Sequence, residues 1–258
     1  MQWIKFGLLA WVICCSAWVS AQTVQVVDVP SRPGVSQRLL LITPEAPKAV
    51  VILFSGGVGD VTIADDGEVG HRENFLVRSR DLFAKHGLIV AVFGKPSDRS
   101  DLRNFRQSTE HVADVKAVLV WLRGQVKLPV WLVGTSRGTQ SAAFVAGRLK
   151  GDAQSPDGLV LTSTMLSDDR EPAVTEMSLD QLNLPVLVVH HEHDDCKHCQ
   201  FRDIPTLMDQ LAASQRKQLL SFSGGQSFGN ACGPRAYHGY NGIERAVVDQ
   251  IAAWILAQ

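Results

Sequence analysis

The sequence predicts an α/β fold with a mostly parallel sheet. Apolar, β-branched runs such as Val50-Val51-Ile52-Leu53-Phe54 and Pro185-Val186-Leu187-Val188-Val189 read as strands buried on both faces. They alternate with segments of helical periodicity, the order that places a parallel sheet between two helical layers. One such run, Pro129-Val130-Trp131-Leu132-Val133, leads into Gly134-Thr135-Ser136-Arg137-Gly138 and then the small-residue stretch Ser141–Ala146, giving strand, sharp turn and helix.

The elements follow in order. Val24–Val29 and Arg38–Thr43 read as an antiparallel start, turned by Pro30-Ser31-Arg32-Pro33-Gly34. Ala49–Phe54 is the next strand, followed by a polar loop, Asp60–Glu73, which reads either as a wall of the pocket or, with Asp65, Asp66, Glu68, His71 and Arg72, as merely solvated. A helix spans Asn74–His86 and stops at Gly87. Leu88–Phe93 is a strand, and Thr109–Arg123 a helix with Val112, Val115, Leu119 and Leu122 on one face. After the Ser136 turn and its helix come a strand at Leu159–Thr164, the strand ending at Val189, a helix near Ile204–Ala213 and a strand at Leu219–Phe222. Ile243, Val247, Ile251, Trp254 and Ile255 give a terminal helix its apolar face. Ligands of such sheets bind at the carboxyl ends of the strands.

The chain has 258 residues, a formal net charge of −1 and 45% hydrophobic residues. That suits one domain with a full core. The near-neutral balance offers no basic face to nucleic acid. Met1–Lys5, the apolar run through Trp18 and the small residues Val19-Ser20-Ala21 read as a signal peptide over residues 1–21, cut after Ala21. The alternative is an uncleaved anchor helix. Residues 22–258 are then one exported domain, periplasmic or secreted, with no stable membrane association after cleavage. The oligomeric state is not written in the sequence.

The chemistry centres on Ser136. In a strand-turn-helix context, G-x-S-x-G reads as a nucleophile elbow, in which the turn lifts a serine hydroxyl clear of the sheet. Such a serine needs a base, and the base needs an orienting carboxylate. The strand ending at Val189 runs into His190-His191-Glu192-His193-Asp194-Asp195, which offers two carboxylates. The Gly-rich segment beyond Phe222 ends in Tyr237-His238-Gly239-Tyr240 and offers the base. The glycine loop Ser55-Gly56-Gly57-Val58-Gly59 lacks the Lys-Ser or Lys-Thr of a phosphate-cradling loop.

With these motifs in place, the chain after its leader resembles the α/β-hydrolase superfamily, in particular its dienelactone-hydrolase-like and esterase-like branch. The resemblance implies an α/β-hydrolase fold, with a mostly parallel sheet covered by helices on both faces. It implies a triad of Ser136, Asp194 and His238. Asp194 takes the place of the aspartate in the branch's H-G-x-x-D strand end, although His191 stands where glycine is common. His238-Gly239-Tyr240 matches its H-G-F or H-G-Y motif. It also implies an oxyanion hole from the amide of Arg137 and that of Gly57 or Val58. The Arg137 side chain, by its position beside the nucleophile, reads either as meeting an anionic substrate group or as a surface arginine at a helix start.

An exported chain makes disulfides, and Cys196, Cys199 and Cys232 remain once the leader is removed. Given those roles, a Cys196–Cys232 bridge would join the acid loop to the base loop, leaving Cys199 free or competing. His190, His191, His193, Cys196, His198 and Cys199 are metal-ligand types, but side chains alternate along a strand end and no second cysteine pair completes a four-ligand site. No metal or other cofactor is expected. Met165–Leu184 is too short and polar for an interfacial lid domain. The expected substrate is a soluble small-molecule ester or related acyl compound, cleaved through an acyl-enzyme. Peptidase and thioesterase activity, or a catalytically silent binding protein on the same fold, are the alternatives.

Overall fold

The computed structural model describes residues 22–257, so the leader expected over residues 1–21 lies outside them. The core element is an eight-stranded sheet in the order β1-β2-β4-β3-β5-β6-β7-β8. Strands β1 (Thr23–Arg32) and β2 (Val35–Thr43) form an antiparallel hairpin. Strand β2 also runs antiparallel to β4 (Leu88–Pro96). The pairings among β4, β3 (Ala49–Phe54), β5 (Val130–Thr135), β6 (Gly158–Thr162), β7 (Val186–His191) and β8 (Lys217–Phe222) are parallel.

The central strands are apolar on both faces because both are covered. Val50, Ile52 and Phe54 pack with α2 (Thr109–Gln125), α3 (Gly138–Arg148) and α4 (Ile204–Gln210). Val51 and Leu53 point the other way, toward α1 (Phe75–Lys85) and α5 (Glu244–Leu256). Asn74 caps α1, its Oδ1 accepting from Leu76 N, and Gly87 follows the helix end at φ +82°. Ser108 caps α2 through His111 N. Among the described residues no helix is long and apolar enough to cross a membrane.

Several elements differ from the sequence expectation. The first hairpin stays paired as far as Arg32 and Val35, through the segment expected to turn, with a register shift after Pro30. Strand β7 runs on to His191, because parallel pairing with β8 continues through His190 and His191. Strand β6 stops at Thr162, and Ser163, at φ +43°, leaves the sheet. Helix α4 ends at Gln210, short of Ala213. In the loop after β3, Asp65, Asp66, Glu68, His71 and Arg72 are exposed as expected, while an Ile63–Val69 bridge folds it back and Val61, Ile63 and Val69 are buried. Between β6 and β7 the chain makes two short 3-10 turns, Val174–Glu176 and Leu179–Gln181, and no lid domain.

Candidate active site

Ser136 sits on the turn between β5 and α3 at φ +52°. A left-handed backbone costs a non-glycine residue roughly 1–2 kcal/mol, and the surrounding bonds hold it there. Ser136 N donates to Thr162 O at 3.0 Å. Thr139 Oγ1 donates to Ser136 O at 2.6 Å, and Thr139 N to the same oxygen at 2.9 Å. The flanking glycines are required by space: a Cβ on Gly138 would lie 2.1 Å from Phe54 O, and one on Gly134 2.5 Å from Gly138 O.

The structure brings His238 and Asp194 together. His238 Nδ1 is 2.9 Å from Asp194 Oδ2, in a buried pair. Asp194 Oδ1 accepts from Cys196 N at 3.0 Å. Asp195 is exposed, so the two neighbouring carboxylates have separate environments. Ser136 and His238 line one cavity of about 160 Å³ at the carboxyl ends of the strands, together with Gly56, Gly57, His71 and Phe75. His238 Nε2 is buried with no partner among the described residues, and the Ser136 hydroxyl is 3.9 Å from Met165 Sδ. The serine-to-imidazole hydrogen bond is therefore not formed here; such bonds often tighten only when substrate binds.

The glycine loop approaches the elbow closely. A Cβ on Gly56 would lie 3.0 Å from Ser136 Cβ. Gly57, at φ +61°, lines the cavity and Val58 does not. Beneath the loop lies Arg106, a fully buried cation. Its Nη2 donates to Ser55 O at 3.2 Å and Gly57 O at 3.3 Å, and its Nη1 to Ser141 Oγ at 3.0 Å. Burial pushes its pKa down to about 10, with Glu171 opposing. Arg106 thus ties the loop to α3 and fixes the peptide planes on either side of Gly56 and Gly57.

The Arg137 guanidinium is not free for a substrate anion. It makes a bidentate bond to Asp168, Nη1 to Oδ2 at 2.6 Å and Nη2 to Oδ1 at 2.9 Å. Burial raises the Asp168 carboxyl, but the Arg137 bond and charge outweigh it and hold the group below the usual carboxylate range. Asp168 lies in the segment expected to be a polar connection, where nothing in its sequence reports burial.

Cys196 and Cys232 are bridged, with Cα atoms 4.5 Å apart. Cys199 is a free, buried thiol whose pKa burial pushes well up. Cys196, Cys199 and His238 bring ligand-type atoms within 4.8 Å of one another, but Cys196 is held in the disulfide and has no thiolate to offer. The histidine-rich strand end does not converge. His190 Nε2 lies 2.6 Å from Cys199 O, while His191 Nε2 lies 2.9 Å from Gly224 O. Burial lowers the His190 pKa against the pull of Asp194, keeping that ring neutral beside the acid.

Further supports were not legible in the sequence. Ser163 Oγ donates to His238 O at 2.7 Å. Tyr240 OH donates to Val189 O at 2.8 Å and accepts from Ser163 N at 3.1 Å. Together they hold the His238 segment to the ends of β6 and β7. Tyr240 stands within the H-G-Y motif, a signal that could have drawn attention to it; Ser163 carries none.

No model of a known protein family matches the chain, and no curated protein matches it. Solved structures do. An esterase of Pyrococcus furiosus superposes with TM-score 0.66 at 12% identity, covering 91% of each chain. A dienelactone hydrolase of Anabaena variabilis gives TM-score 0.64 at 14% identity, covering 91% of this chain and 97% of the other. A lidless α/β serine hydrolase of Xanthomonas campestris gives 0.53 at 17% identity, covering 89% of this chain and 94% of the other. Sheet order, helical layers and the extent of these superpositions agree: this chain has the α/β-hydrolase fold.

Proposed function

We propose that the protein is an exported serine hydrolase of the carboxylesterase type, acting on soluble small-molecule esters. Ser136 attacks the acyl carbon while His238 takes its proton. Asp194 holds the imidazole tautomer and stabilises the ring when charged. The amides of Arg137 and of Gly57 or Val58 donate to the developing oxyanion. Collapse of the tetrahedral intermediate expels the alcohol, which takes the proton from His238 and leaves an acyl-enzyme. Water, activated by the same histidine, releases the acid.

The observation that carries this reading is the buried His238–Asp194 pair opening onto the cavity that also holds Ser136 on its left-handed turn. The esterases and dienelactone hydrolases among similar structures support the ester-cleaving class. The disulfide is compatible with export. Ser136→Ala is expected to lower p-nitrophenyl acetate turnover by on the order of 10⁴-fold or more and to abolish fluorophosphonate labelling. Retained labelling and turnover would overturn the assignment. Mass spectrometry of the exported protein should find Gln22 at the N-terminus; an intact leader in the membrane fraction would favour an anchor.

A further inference from the structure

A second histidine–carboxylate pair borders the same cavity. His71 Nδ1 lies 2.6 Å from Asp60 Oδ1, and His71 lines the cavity with Ser136 and His238. Its Nε2 reaches the glycine loop: a Cβ built on Gly57 would lie 3.4 Å from it. His71 holds φ +61°, in the left-handed region that non-glycine residues adopt in only a few per cent of cases, His, Asn and Asp more than most. Such backbone strain concentrates where a structure holds a group for function. The loop presenting it is fixed by the Ile63–Val69 bridge and by bonds from Gly70 N to Thr62 O and Asn74 N to His71 O, at 2.8 and 2.9 Å.

Hydrogen-bond chemistry sets what His71 can read. A ring nitrogen facing a carboxylate oxygen must carry the proton, so the neutral ring presents the lone pair of Nε2. Two neighbouring polar side chains on the cavity wall already have partners. Glu73 is bound by Arg235 at 2.7 and 3.1 Å, and Asn74 Oδ1 accepts from Leu76 N. Glu73 pairs with Arg235 and Asp60 with His71, so the Arg235 guanidinium is not left free for an anion. A neutral hydrogen-bond donor is the complement.

We infer that His71, oriented by Asp60, is a specificity residue that accepts a hydrogen bond from a hydroxyl next to the scissile carbonyl, so that the preferred substrates are hydroxyacyl esters. This rests on the serine-hydrolase reading above. Gly57 relates the two, because His71 Nε2 stands beside the loop proposed to hold the oxyanion.

The test compares methyl lactate with methyl propionate, which differ by that hydroxyl. His71→Asn removes the imidazole while keeping a residue that tolerates left-handed backbone. Divided by the ratio of their alkaline hydrolysis rates, which removes the inductive effect of the hydroxyl, kcat/KM of the wild type should favour lactate by roughly tenfold, the worth of one hydrogen bond, and His71→Asn should bring this corrected ratio close to one. A wild type without preference, or a folded His71→Asn protein that keeps it, overturns the inference. Binding is read independently of turnover in Ser136→Ala, by NMR titration with the same two esters. Lactate should bind roughly tenfold tighter, and the added His71→Asn change should remove the difference; equal binding before that change overturns the inference. Failure of the catalytic reading shows separately, as ester turnover surviving Ser136→Ala.

Discussion

His238 Nδ1 meets Asp194 Oδ2 at 2.9 Å across 44 residues of sequence, with neither side chain more than 5% exposed. The neighbouring carboxylate, Asp195, faces solvent. The two adjacent aspartates can therefore be separated by experiment. Asp194→Asn should lower p-nitrophenyl acetate turnover by on the order of 10⁴-fold, because the amide supports the wrong tautomer. Asp195→Asn should stay within about twofold of wild type, as exposed substitutions usually do. The reverse ranking would move the carboxylate role by one residue.

Arg106 offers a test of the glycine loop. Arg106→Met keeps much of the buried volume but releases the carbonyls of Ser55 and Gly57. Turnover should fall roughly 10- to 100-fold, in line with loss of bonds made by a charged donor, and kcat should carry more of the change than KM. Urea unfolding of the same protein reports whether the fold survives. A folded variant with wild-type kcat would exclude Arg106 from holding the loop.

The Cys196–Cys232 bridge closes a segment with a sequence separation of 36 and joins the loop carrying Asp194 to the segment carrying His238. Replacing both cysteines by serine should cost about 2–4 kcal/mol in denaturant unfolding. On the proposed mechanism it should reduce activity even where the protein is fully folded, since the Asp194 and His238 segments lose their covalent tether. An unchanged unfolding midpoint would show that the bridge contributes nothing to stability.

His111 predicts an acid limb in stability. It is buried beside Phe54, Phe93 and Phe105. Burial, assisted by the charges of Arg106 and Arg32, pushes its pKa down to about 3. The unfolded ring titrates near 6.5. Between those values the unfolded chain binds a proton that the native state refuses, so stability is full above about pH 6.5 and falls as pH drops. Burial lowers His190 in the same direction. His111→Phe should gain roughly 2 kcal/mol relative to wild type between pH 8 and pH 5. Parallel urea curves at the two pH values check this, and an unaltered acid limb would contradict it.

Much of the fold was legible because the signals are local. The runs Val50–Phe54 and Val186–Val189 need apolar residues on both faces, and G-x-S-x-G needs glycine where Gly134 and Gly138 meet neighbouring backbone. Asp194 and His238 were reachable because each stands at an element end with a recognisable motif. What stayed hidden depends on contacts between distant segments. Arg106 precedes α2 in an ordinary polar stretch, and only the packed fold shows that no solvent reaches it. His71 is exposed, as its polar loop suggested, but the residues that anchor that loop are isolated apolar ones, Val61, Ile63 and Val69. Arg137 seemed available because its partner Asp168 is 31 residues away.

The buried guanidinium of Arg106 has a consequence for how the site responds to its medium. Mobile ions screen charges that face solvent but reach buried ones far less. A permanent positive charge therefore sits behind the Gly57 carbonyl, out of reach of dissolved salt. The field acting on a reacting carbonyl would come largely from the protein interior. For a neutral ester, the rate of the chemical step should then be nearly insensitive to ionic strength.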